Sequence, residues 1–110
     1  MEKYNGNYRF EYNGPQGSGH GTLEIKDGII GGKDYTQATY TGIARIEDGQ
    51  LVINVTIDFS GLPGTYSVIS GNTGKIRHTL EFPLPLDFLP EHKTTVNTVH
   101  GPLSIHVTKV

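Results

Sequence analysis

A length of 110 residues fits one domain, and the absence of cysteine excludes a disulfide framework, a thiol nucleophile and cysteine-ligated zinc. Nine basic side chains against eleven acidic ones leave a formal net charge of -2. The basic residues are scattered, so a surface that displaces counterions from nucleic-acid phosphates is not expected. No stretch of about eighteen apolar residues runs unbroken, so no spanning helix is expected. The start, Met1 to Gly6, lacks the basic-then-apolar order of a secretory leader. The expectation is a single domain over residues 1–110, held in the cytoplasm.

Apolar residues alternate with polar ones in short runs separated by Gly, Asn and Asp, which is the signature of antiparallel β-structure throughout. The first run, Tyr8 to Tyr12, places three aromatic rings on one face and Arg9 and Glu11 on the other. The segment Asn13 to Gly19 is expected to be a loop too glycine-rich to pair. Thr22 to Lys26 then leads into Asp27-Gly28 and Ile29-Ile30. Asp-Gly between apolar runs marks a two-residue hairpin, because both turn positions require positive φ.

Asp48-Gly49 repeats that signal and predicts a register. A two-residue turn there sets Ile46 opposite Leu51, Ala44 opposite Ile53, Gly42 opposite Val55 and Tyr40 opposite Ile57, all apolar or small. The other face pairs Arg45 with Val52, Ile43 with Asn54, Thr41 with Thr56 and Thr39 with Asp58. A slip of one residue would mix the two sets.

Tyr66 and Val68 predict a strand that turns at Gly71-Asn72 and returns through Ile76, His78, Leu80 and Phe82. Pro83, Pro85 and Pro90 lack backbone donors, so Pro83 to Pro90 is expected to be a connector rather than a central strand. Its apolar residues are placed to plug a barrel end. Thr94 to Val99, a Gly101-Pro102 break and Leu103 to Val107 complete the chain. Val96 and Val99 fall out of phase, which predicts a bulge or irregular pairing. Seven or eight such strands suffice to close a small antiparallel barrel filled mostly by its own side chains.

Catalytic constellations are not found. Glu11, Glu24, Asp58 and Glu81 fall on the outward phase, so no carboxylate pair faces a common interior point. No serine lies in a Gly-x-Ser-x-Gly context. The stretch Gly17-Ser18-Gly19-His20-Gly21 is followed by a strand rather than a helix, so it is not a phosphate cradle. The five histidines stand at no metal-ligand spacing. The chain is expected to be no enzyme and to hold no metal or cofactor.

Two features remain. The predicted interior includes Phe10, Tyr12, Leu23, Ile25, Tyr40, Ile53, Val55, Ile57, His78 and Leu80, an apolar lining with one imidazole that suits a lipid-like small molecule. Outside, Ile43 and Val52 are diagonal neighbours on the best-defined hairpin and are candidates for a subunit contact. Glu47 and Asp48 form its acidic tip, a candidate partner-binding point.

The order Asn5-Gly6-Asn7-Tyr8-Arg9-Phe10, Gly19-His20-Gly21-Thr22-Leu23, Asp27 to Asp34 and Tyr40-Thr41-Gly42 resembles the GrlR-like family. That family is named for a negative regulator of bacterial type III secretion genes. The resemblance covers roughly residues 5–60. It implies a lipocalin-like, eight-stranded barrel that forms a homodimer and acts by contact with a regulatory protein partner. In the namesake an acidic run follows Tyr-x-Gly on this hairpin. Here the corresponding tip is Ile46-Glu47-Asp48-Gly49, with two acids only, so the resemblance does not carry the namesake's partner over to this chain.

Overall fold

The computed structural model describes residues 2–15, 17–58 and 77–110. The expectations for Tyr66, Val68, the Gly71-Asn72 turn and Ile76 lie outside the described residues.

After a 3-10 turn at Glu2–Tyr4, eight antiparallel strands follow: β1 (Gly6–Gly14), β2 (Gly17–Lys26), β3 (Ile29–Asp34), β4 (Thr39–Glu47), β5 (Gln50–Asp58), β6 (Arg77–Pro85), β7 (Glu91–Thr98) and β8 (Gly101–Lys109). They form one sheet in the order β6-β5-β4-β3-β2-β1-β8-β7. The meander from β1 to β6 curls in one direction, and β8 returns to pair with β1 from Tyr8–Lys109 to Asn13–Ser104. Strands β6 and β7, adjacent in sequence, thereby become the two edges of the sheet and meet across a short seam. The result is a nearly closed, small lipocalin-like barrel.

Both Asp-Gly turns have positive φ at both positions: 50° and 84° at Asp27-Gly28, 51° and 74° at Asp48-Gly49. Such turns match the right-handed strand twist, and they set the flanking register. All eight β4–β5 pairs expected from the sequence are present. Leu51 is fully buried, whereas Ile46 on the same phase is 51% exposed, where β4 runs on beyond its ladder with β3, which ends at Ile29–Ile43.

The glycine-rich segment departs from expectation. Strands β1 and β2 pair without interruption to Gly14–Gly17, with Gly19 opposite Tyr12 and Gly21 opposite Phe10. A Cβ on Gly19 would lie 2.5 Å from the Tyr12 ring and 2.9 Å from that of Tyr35. Small barrels fit large inward rings by setting small residues beside them. Here the glycines make room for aromatic packing rather than breaking the strand.

The proline segment also departs. Pro83 and Pro85 lie within β6, paired with Val52 and Gln50. A proline is tolerated there because β6 is an edge strand whose other side has no ladder partner among the described residues. Only Leu86 to Pro90 forms the connector, and it does supply a plug: Phe88 is buried and stacks on Tyr4 at 5.7 Å and Tyr8 at 6.1 Å. No bulge interrupts β7–β8, which pair continuously from Glu91–Thr108 to Thr98–Gly101. Val96 faces Leu103 in the core, and Val99 escapes the alternation because it sits in the turn, 97% exposed.

Candidate functional site

Inward residues of six strands enclose an apolar cavity of about 50 Å³. Phe10, Tyr12, Leu23, Tyr40, Ile53, Val55 and Ile57 all line it, as the alternation predicts. A second apolar void of about 30 Å³ lies between Tyr8, Ile30 and Phe88. Sites for drug-sized ligands measure roughly 300–1,000 Å³, so the barrel is filled largely by its own side chains.

His78 does not line the cavity. As the second described residue of β6 it lies at the barrel rim, half-buried, with its ring edge-on to that of His100 at 5.7 Å. Burial and the neighbouring imidazole hold its pKa below the ordinary histidine value. The two rings line an open cleft of about 420 Å³ between Arg77–Glu81 and Val96–His100, at the seam.

The sequence reading missed the one buried carboxylate among the described residues. Asp34, 4% exposed, ends β3 on its inward phase. Its Oδ2 accepts hydrogen bonds from Tyr40 Oη at 2.9 Å and Tyr12 Oη at 3.3 Å. Its Oδ1 accepts from Thr36 N at 2.9 Å, Thr36 Oγ1 at 2.5 Å and Ala38 N at 3.3 Å. A buried carboxylate is stable only when its lone pairs are occupied in this way. Burial in the first place, and for Tyr40 then the neighbouring Tyr12 and Asp34, pushes both phenols well above the ordinary tyrosine range, so both remain donors. The signal was present in the alternation Ile30, Gly32, Asp34, and in the Thr36 that lets an Asx turn form. The group is a structural knot that holds the β3–β4 turn against the barrel wall.

On the outer surface, Ile43 is 46% exposed and sits directly opposite Ile29, which is 63% exposed. Val52 is the diagonal neighbour on β5, paired with Arg45. Together these three side chains make an apolar strip across β3, β4 and β5. Arg45 borders the strip and bridges Glu47 at 2.6 Å and Glu81 at 2.7 Å. That contact holds the Glu81 carboxyl below the usual carboxylate range. Of the acidic tip, Glu47 is therefore engaged by Arg45, and Asp48 stands at the turn itself. Glu11, Glu24 and Glu81 are exposed as expected, and Asp58 is bridged to Arg77 at 3.0 Å.

Among the described residues no three His, Asp or Glu side chains are placed to hold a metal ion. None of their helices is long and apolar enough to cross a membrane. No protein-family model and no curated protein matches the chain.

Proposed function

We propose that this protein is a non-catalytic interaction barrel, a homodimer that regulates another protein by binding it in the bacterial cytoplasm, as the GrlR-like resemblance implies. The observation that carries the reading is where apolar surface lies. The interior is nearly filled, whereas Ile29, Ile43 and Val52 present an apolar strip on the outer wall. A second copy is the fitting occupant. A two-fold pairing sets the same strip against itself, and the Arg45–Glu47–Glu81 cluster beside it is complementary to its own copy. The Asp48 tips would then stay free at the rim and raise the encounter rate with a basic partner surface.

Sedimentation of the wild type and of Ile43→Glu tests this. The wild type is expected to sediment as a dimer and the variant as a folded monomer; a monomeric wild type sinks the reading. The alternative, a carrier of an apolar small molecule, requires the walls of the cavity to part. Native mass spectrometry separates the two, since only a carrier retains an adduct of a few hundred daltons, to use the order of mass of a drug-sized ligand.

A further inference from the structure

Polar side chains on the two halves of the outer wall behave differently. On β4, β5 and β6 they engage one another: Arg45 with Glu47 and Glu81, Asn54 with Glu81, Thr56 with Thr79 and Arg77 with Asp58. Strands β2, β1 and β8 carry two consecutive cross-strand rows of outward residues, His20–Glu11–His106 and Ser18–Asn13–Ser104. In these rows only His106 has a side-chain hydrogen-bond partner among the described residues, Glu91 at 2.9 Å.

The rows line a concavity. A cleft of about 390 Å³ lies over β1 and β2, and one of about 210 Å³ lies on the β8 side; Glu11 and Asn13 line both. The first is walled by Tyr35, 49% exposed, whose ring stacks on His20 at 5.1 Å. The two clefts adjoin at Glu11 and Asn13 as a two-part trough over three strands, with hydroxyl, amide and carboxylate groups between His106 on one side and the stacked His20 and Tyr35 rings on the other.

We propose that this trough binds an oligosaccharide laid across β2, β1 and β8. Each floor group except His106, which is engaged by Glu91, can donate or accept hydrogen bonds without a competing side-chain partner among the described residues, and strands repeat every 4.8 Å or so, close to the rise of one pyranose unit in an extended glycan. The face of Tyr35 suits the C–H face of a sugar ring, which is apolar and carries partial positive charge. Charge is balanced, Arg9 beside Glu11 and Lys93 beside Glu91, which disfavours a polyanion. Neither of the two clefts is an apolar pocket that would suit a hydrophobic peptide anchor. This surface lies on the opposite half of the barrel from Ile43, so the inference stands apart from the dimer.

The test is an amide ¹H–¹⁵N titration of the full chain with cellotetraose, maltotetraose and chitotetraose. At least one is expected to shift the amides of Glu11 to Asn13, Ser18 to His20, Ser104 to His106 and Tyr35, with Kd of about 1 mM, corresponding to about -4 kcal/mol. Tyr35→Ala and Asn13→Ala should each weaken that binding at least several-fold with the spectrum still dispersed, while Ile43→Glu leaves it unchanged. No shifts with any of the three glycans, shifts confined to other surfaces, or shifts undiminished in both variants would overturn the proposal.

Discussion

The two ends of the barrel are closed by different physics. At the end where β1 begins, Tyr4 and Tyr8 stack on Phe88, and their phenol oxygens find backbone carbonyls. Tyr8 Oη donates to Tyr4 O at 2.6 Å, and Tyr4 Oη donates to Leu86 O at 2.8 Å. Burial first, and Tyr4 second, push the Tyr8 phenol up to about 12, so this seal keeps its protons across the physiological range. At the other end Asp34 gathers phenols, a hydroxyl and amides, and His78 and His100 face each other at the seam. One end rests on area removed from water, the other on directional bonds and ionisable groups. The first should resist changes of pH and salt, and the second should register them.

The largest expected effect breaks the apolar seal. Phe88→Ala removes a fully buried ring between two others and should cost about 3–5 kcal/mol of unfolding free energy in a urea titration. A loss below about 1 kcal/mol would mean that the end is closed by something other than this stack.

Next comes the polar knot. Asp34→Ala strands two buried phenols and should cost about 3 kcal/mol, since each buried donor left unsatisfied costs roughly 1–3. The combination with Tyr12→Phe and Tyr40→Phe removes the stranded groups and should recover part of that loss. If the triple variant is no more stable than Asp34→Ala alone, hydrogen bonding is not what the carboxylate contributes.

The smallest effect sharpens the contrast in pH. His78 has its folded-state pKa depressed, so below the unfolded value of 6.5 the unfolded chain takes up the proton more readily than the native one. Its contribution to stability is therefore present at neutral pH and lost as pH falls from there. His78→Gln should flatten the dependence of urea midpoint on pH between about 7 and 5. An unchanged slope would place the titration elsewhere.

Much of this architecture was legible before any coordinates. The alternation of Tyr8, Phe10 and Tyr12 with Arg9 and Glu11 defined a strand with one wet face. The Asp27-Gly28 and Asp48-Gly49 turns, with the matched residues around the second, defined hairpins and a register. These are local effects: a side chain in an extended chain points up or down according to its position alone, and a turn that demands positive φ admits few residues. Nine of the ten interior residues expected from alternation, all but His78, line one of the two apolar voids.

What failed depended on neighbours distant in sequence. Whether glycines break a strand or host a ring depends on what lies across the ladder, and Gly19 and Gly21 lie across from Tyr12 and Phe10. Whether proline forbids a strand depends on its place in the sheet, and β6 became an edge only because β8 returned to β1. His78 left the lining because it sits on edge strand β6 with its ring against His100 at the seam, although its ladder partner Ile57 lines the cavity. The rows His20–Glu11–His106 and Ser18–Asn13–Ser104 unite residues more than eighty positions apart, and no sequence spacing hints at them. Alternation and turn sterics are encoded within a few residues, so the sequence by itself determined the strands, the hairpins and the inward face. Closure, the sheet edges and the cross-strand rows follow from pairing between distant segments, and only the tertiary structure decided them.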